Sequence, residues 1–353
     1  MTLKNLLGLG LTALKSNFTT LDKPYKVNYC ITYLCQSRCL TCNIWQMRPK
    51  GELTIDEVRE FAKKNNSFKW VELTGGEPFL REDIDEIARA FKENCKSLYI
   101  LTVPTNSLVN HDKVVAKLEN ILKLGIPRVA VTVSLDGYRE LHDKIRGIPG
   151  NYDKAIDMFK RLKELKRTHK NLFFVFGYTL SRFNQGQFEK TFELVKKDIP
   201  DLKRNDFHIN LAQLSSNYYG NETLDIKPND PVVVEELATI RKKRDMQLAI
   251  IPIIENAYMK RLVLYAKTGK QPMRSRSLEA SAFIDSYGNV YPSIMWDRKL
   301  ANLREISYDL SSIWQSDAAH EVRKMAKDGT EPAQWTSCEA YQTLVGDVFS
   351  LIK

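Results

Sequence analysis

Residues 26–42 read KVNYCITYLCQSRCLTC, and residues 68–78 read FKWVELTGGEP. Each begins as a β-rich apolar run and ends in a loop of chemically unusual residues. In the first, Cys35, Cys39 and Cys42 follow the run with C-x3-C-x2-C spacing. In the second, Thr74-Gly75-Gly76-Glu77-Pro78 follows directly. If both runs are parallel strands, both loops stand at one end of the sheet. Sites in such folds gather at the C-terminal ends of the strands.

The alternation continues outward. Thr54 opens TIDEVREFAKK, with Glu57 three residues on, the pattern of a capping box. Helix-like stretches occupy 81–94, 111–123, 151–168 and 185–198, and strand-like ones occupy 97–105, 128–135, 171–180 and 206–213. Six strands, each but the last followed by a helix, predict an α/β fold of right-handed βα units. Their nearly continuous apolar runs predict a parallel sheet covered on both faces. Such a sheet is open and doubly wound, or curls into a full or partial barrel.

Past residue 215 the pattern changes. A polar loop leads to helical stretches at 229–245 and 253–267. SAFIDSYGNVYPSIM then predicts a hairpin turning at 287–289, and helices are expected at 308–328 and 337–351. The expected organisation is an N-terminal helix (1–25), a core (26–215) and a smaller α+β extension (216–353).

The 353 residues are 43% hydrophobic and 27% charged, which excludes a disordered chain. No apolar stretch reaches the length of a membrane span. Six cysteines are too sparse for a disulfide scaffold, and four of them lie between Cys30 and Cys42. The net charge of +10 is spread through helical patterns, so it carries no strong nucleic-acid signal.

Residues 3–18 read LKNLLGLGLTALKSNF, with Leu3, Leu7, Leu11, Leu14 and Phe18 on one helical stripe. Its two lysines predict packing against the body of the protein. Peripheral membrane contact through residues 1–20 is the alternative. Without an export signal the expected location is cytoplasmic, with membrane association as that alternative. In a reducing compartment, clustered cysteines mean metal or catalysis.

Three thiolates on one loop can hold three corners of an iron–sulfur cube and leave the fourth iron open. A structural zinc site is the competing reading, and Cys30 is its candidate fourth ligand. Three unrelated buried thiols are a third.

Taken together, the CxxxCxxC and GGEP loops resemble the radical S-adenosylmethionine (radical SAM) superfamily over about residues 26–215. The resemblance implies a partial (β/α)6 barrel, a [4Fe-4S] cluster on Cys35, Cys39 and Cys42, and S-adenosylmethionine as cofactor. In that family, reductive cleavage of the sulfonium gives a 5′-deoxyadenosyl radical that abstracts hydrogen from an organic substrate. The electron comes from a flavodoxin- or ferredoxin-type partner.

Further roles follow by resemblance. Gly75, Gly76, Glu77 and Pro78 match the motif that holds the methionyl amino group, and Thr105-Asn106 matches a step near the ribose. Ser134-Leu135-Asp136-Gly137 matches a cofactor-contacting step, and His142 to Arg146 a following H-D-x-x-R stretch whose arginine reaches the cofactor carboxylate. A loop salt bridge is the competing reading for Arg146. Thr41 stands where the family often has an aromatic residue, so Ile44 and Trp45 are candidates for adenine contact.

The tail is similar to the SPASM or twitch extension, which usually carries auxiliary clusters. Ser277, Ser293, Gln334 and Cys338 occupy the matching positions, and only the last is a thiol. The extension is therefore expected without an auxiliary cluster. Gln213, Ser215, Tyr218, Tyr219 and Tyr291 are candidate pocket residues for a small molecule, lipid or peptide. A non-catalytic scaffold of the same fold and a zinc-binding structural domain are the alternative functions.

Overall fold

The computed structural model describes residues 2–228, 230–245 and 250–347. Strands β1 (Lys26–Thr32), β2 (Trp70–Gly75), β3 (Ile100–Thr105), β4 (Arg128–Ser134), β5 (Leu172–Leu180) and β6 (Phe207–Leu211) run parallel. β6 is an edge of the sheet, so the barrel stays open. Around it stand α2 (Ile55–Lys64), α3 (Ile84–Asn94), α4 (His111–Lys123), α5 (Arg139–Arg146), α6 (Asn151–Thr168) and α7 (Phe188–Asp198). The sequence reading had no α5; a helix stands where it gave only the H-D-x-x-R stretch.

The predicted capping box forms at the start of α2. Thr54 N donates to Glu57 Oε2 at 2.8 Å, and Glu57 N donates to Thr54 Oγ1 at 3.3 Å.

The expectation that both strand faces are buried holds for β1, buried at every position, but in β3, β4 and β6 for one face only. Leu101, Val103, Val129, Val131 and Val133 pack under the helices, in one core with Ile87, Phe91, Leu118 and Phe159. The alternate residues Glu72, Thr102, Thr132, Ser134, His208 and Asn210 are half-buried and line the barrel interior. Parallel strands spare the outer face from water, and the polar inner face marks a space that something polar enters.

The tail does not stand apart from the core. Its helices α8 (Asp230–Lys243) and α9 (Ile250–Thr268) lead to β7 (Ser281–Ile284), which pairs in parallel with β1. The predicted hairpin follows, β8 (Asn289–Tyr291) running antiparallel to β7, and β9 (Ala301–Asn302) to β8. Gly288 turns it with a positive φ of 84°. The helix expected at 308–328 is split into α10 (Ser311–Trp314) and α11 (Asp317–Asp328), because Ser316 caps a new start by accepting from Ala319 N at 3.2 Å. α12 (Ser337–Gly346) follows; residues 348–351 of the expected helix lie outside the described residues.

α1 (Thr2–Lys15) corrects the packing expectation. Leu9 and Ala13, with Ser16 just beyond the helix, face the body, while Leu7, Leu11, Leu14 and Phe18 face outward. The Leu3 side chain lies outside the described residues. Among those residues no helix is long and apolar enough to cross a membrane.

Candidate active site

The cysteine loop and the glycine loop extend the β1–β2 pairing beyond the strands. Gly76 N donates to Thr32 O and Glu77 N to Leu34 O, each at 2.8 Å. The approach is so close that only glycine fits. A Cβ on Gly75 would lie 2.2 Å from Thr32 O, and one on Gly76 2.2 Å from Leu34 O and 2.9 Å from Cys35 Cβ. Gly75 also holds a φ of 146°, which L side chains rarely adopt. The two loops therefore move as one.

Glu77 ties in the third strand. Its fully buried carboxylate accepts from Asn106 N at 2.6 Å and from Phe79 N at 3.3 Å. Burial raises its pKa to about 7, against the pull of these donors. Pro78 opens the 3-10 turn that follows.

Each cysteine sulfur faces a polar donor. Asn106 Nδ2 lies 3.7 Å from Cys35 Sγ, and Ile44 N lies 3.4 Å from Cys42 Sγ. Cys39 Sγ has Ser37 Oγ at 3.1 Å and Arg146 Nη1 at 3.7 Å. Burial pushes the Cys35 thiol up to about 11 and that of Cys42 to about 12. Such sulfurs become thiolates when a cation joins them, and the donors around them suit thiolate acceptors. Among the described residues no three Cys, His, Asp or Glu side chains are already drawn together around an ion. Cys30 is fully buried in an apolar cluster against which Cys35 and Cys42 also pack. Its sulfur lies 3.5 Å from Thr32 O, packed among Tyr33, Ile44, Phe283 and Ile294.

Arg146, the last residue of α5, divides its guanidinium between Asp136, at 2.7 Å from Nε to Oδ2, and Cys39. Its backbone is as engaged as its side chain. Arg38 N donates to Arg146 O, and Leu40 N to Ile145 O, both at 2.9 Å. Asp136 is itself held by Thr179 N at 2.9 Å, and its own N–H donates to His142 Nδ1 at 3.0 Å. Burial, then the neighbouring Arg146, depresses His142 to about 3, so the ring is neutral. Ser134 ends β4 on the inner face, level with Gly177 of β5, which is level with His208 of β6.

The pocket candidates divide. The Tyr218 hydroxyl is occupied, lying 2.7 Å from Thr74 Oγ1 and 3.1 Å from both Gly75 N and Gly75 O. Ser215 Oγ donates to Ile294 O at 2.5 Å. These two hold the site together rather than face a pocket. Tyr219 O accepts from Asn43 N at 3.0 Å, while Tyr291 is half-exposed on the hairpin. Gln213 is buried, and neither atom of its amide has a partner among the described residues.

Sequence reading missed two groups. One is a clamp on the cysteine loop, in which Asn43 Nδ2 donates to Gly220 O and Asn221 Nδ2 to Thr41 O, each at 2.8 Å. The other is the polar wall of β6. His208 Nδ1 lies 3.1 Å from Glu255 Oε1 on α9 and 3.0 Å from the Tyr341 hydroxyl on α12. Polar residues at alternate positions of the strand FHINL were the available signal.

Of the four tail positions, two meet. Ser293 Oγ donates to Gln334 Oε1 at 3.0 Å, both fully buried. Ser277 is bonded to Ser275 at 2.6 Å, and Cys338 Sγ donates to Glu72 Oε1 at 2.8 Å, inside the barrel.

Residues 29–195 match the radical SAM superfamily. The chain carries a radical SAM domain. The radical SAM chain is 26% identical to an AdoMet-dependent heme synthase of Methanosarcina barkeri (strain Fusaro / DSM 804) over 341 residues, 92% of this chain and 91% of the relative. Its fold is similar to Streptococcus suis SuiB bound to S-adenosylmethionine, at 17% identity and a TM-score of 0.61, covering 88% of this chain and 70% of that one. It is also similar to native anSMEcpe with bound AdoMet, at 14% identity and a TM-score of 0.58, covering 93% and 98%. It is an enzyme with a radical SAM domain at residues 29–195, and the scaffold and zinc-domain alternatives give way to that reading.

Proposed function

We propose that Cys35, Cys39 and Cys42 hold a [4Fe-4S] cluster and that the surrounding loops bind S-adenosylmethionine. The observation that carries this is the cysteine loop itself: three sulfurs, each met by a donor, braced by Gly75 and Gly76. When bound, the pair supplies a 5′-deoxyadenosyl radical for hydrogen abstraction from an organic substrate.

The chain's own residues do the positioning. Gly75 and Gly76 let backbone polar groups approach the methionyl end closely. Glu77 and Asn106 fix the loop after β3 against the loop after β2, and Ile44 covers the apolar side of the adenine region. Asp136 anchors Arg146, which lays positive charge beside Cys39. Ser134 faces the cofactor from the inner wall, and Pro78 shapes the strap. The substrate enters the half-open interior, meeting His208, Asn210 and Gln213. Residues 216–353 form the extension over a core at 26–215, preceded by residues 1–25. No auxiliary cluster is proposed, since Ser293 and Gln334 bond each other. The electron donor is a flavodoxin- or ferredoxin-type protein.

Anaerobic reconstitution tests the cofactor assignment. We expect about four iron and four sulfide per chain, and a reduced-cluster electron paramagnetic resonance signal that changes when S-adenosylmethionine is added. A Cys35→Ala, Cys39→Ala, Cys42→Ala variant should lack both. Tightly held zinc with no sulfide would contradict the proposal.

A further inference from the structure

Among the described residues, the outward face of α1 is left without a partner. Leu7 is 57% exposed, Leu11 67%, Leu14 38% and Phe18 81%. Single exposed leucines are ordinary, but three leucines on one face of α1, with Phe18 in the turn just past its end, form a patch. The helix cannot roll to hide them. Leu9 and Ala13 pack with Leu21, Tyr25 and Ala280 on the opposite side. Asn17 holds Gly346 O, and Arg276 Nη1 donates to Ser16 O at 3.2 Å.

The position of the patch matters as much as its composition. Leu9 and Ala13 of α1 share a cluster with Tyr25, just before β1, against which Tyr99 and Ile100 at the start of β3 pack, so α1 lies at the N-terminal end of the barrel. The candidate site lies at the other end. Every barrel helix that returns to this floor ends in basic residues, among them Lys63 of α2, Lys92 of α3, Lys123 of α4 and Arg167 of α6. Their acidic first turns lie at the site end. Cations at helix C-termini are favoured by the helix dipole, and here parallel helices bring their basic ends to the same side, where Lys63, Lys123 and Arg167 also pair with Glu60, Glu119 and Glu164 on their own helices. Lys4 and Lys15 are exposed beside the stripe itself.

We infer that this floor docks peripherally on an anionic lipid bilayer, with Leu7, Leu11, Leu14 and Phe18 in the headgroup boundary. An apolar stripe amid basic charge is complementary to such a surface. A second copy of a chain carrying +10 would bring like charge against like. The contact is peripheral, since no described helix is long and apolar enough to cross. Docked this way, the enzyme points its site away from the membrane.

The test is sedimentation of the full chain with vesicles of phosphatidylglycerol and phosphatidylcholine, against vesicles of phosphatidylcholine alone. Binding should require the anionic lipid and fall steeply by about 0.5 M salt. A Leu7→Glu, Leu11→Glu variant should bind at least about tenfold more weakly, with an unchanged thermal melt because both positions are exposed. A Phe18→Trp reporter should shift its emission to the blue on adding anionic vesicles. Equal binding by the glutamate variant, or no binding to anionic vesicles, would overturn the inference. So would light scattering that shows a dimer which the glutamate variant dissolves, because the stripe would then seat a second copy.

Discussion

Arg146 Nε lies 2.7 Å from Asp136 Oδ2, with both side chains largely withdrawn from water. This pair joins the end of β4 to the end of α5, and through Cys39 it joins both to the cysteine loop. Removing one partner leaves the other charged and buried, which costs about 3–5 kcal/mol. Arg146→Ala should therefore lower stability by that order in urea unfolding and reduce the iron bound on reconstitution. Arg146→Ala with full stability and full iron content would show that the pair is incidental.

Gly76 should tolerate no side chain. A methyl group there would meet Leu34 O at 2.2 Å, so Gly76→Ala must push the glycine loop off the cysteine loop. Cluster content should fall sharply in that variant. Gly10 in α1 is the control, since a Cβ there meets nothing within 4 Å. Gly10→Ala should leave cluster content intact and raise stability by about 0.5–1 kcal/mol.

Tyr218 belongs to the long loop after β6, yet its hydroxyl sits on Gly75. Tyr218→Phe should cost about 1 kcal/mol in unfolding. It should also weaken S-adenosylmethionine binding by about tenfold at unchanged iron content, measured by equilibrium dialysis of the reconstituted protein. Unchanged binding would mean that the hydroxyl braces the loop without shaping it.

His142 gives the fold a pH dependence. Its folded value, near 3, lies below the ordinary 6.5. The unfolded chain thus takes up a proton that the folded chain refuses as pH falls below about 6.5. Stability from this group is complete above that pH and declines on acidification toward 3. Between pH 7 and 4.5 the decline is on the order of 2–3 kcal/mol. His142→Gln should flatten that part of the profile in urea midpoints; a profile of unchanged slope would contradict it.

The sequence carried the local features well. The helices at His111–Lys123 and Asn151–Thr168 stand at the predicted residues, and so do the capping box and the hairpin turn. Each is written in neighbouring residues. The features it hid are those decided at long range. A helical stripe in residues 3–18 announces a face but does not say which way it points; the face that packs is the smaller one, of Leu9, Ala13 and Ser16. Helix α5 is short and highly charged, with few apolar residues to announce it. The pairing of β7 with β1 joins residues about 250 apart, which no local pattern reports. Asn43 and Asn221 are ordinary loop residues until the fold sets one above the other. The cysteine and glycine loops were legible because their chemistry is rare. The sequence singled out Arg146, but not its division between Asp136 and Cys39.

The central claim is that the three loop cysteines support radical chemistry on S-adenosylmethionine. The direct measurement is anaerobic: reconstituted protein with S-adenosylmethionine and dithionite, assayed for 5′-deoxyadenosine. The account predicts product from the intact chain and none from the Cys35→Ala, Cys39→Ala, Cys42→Ala variant. Equal product from both, or none from a chain whose cluster is fully loaded and reduced, would contradict it.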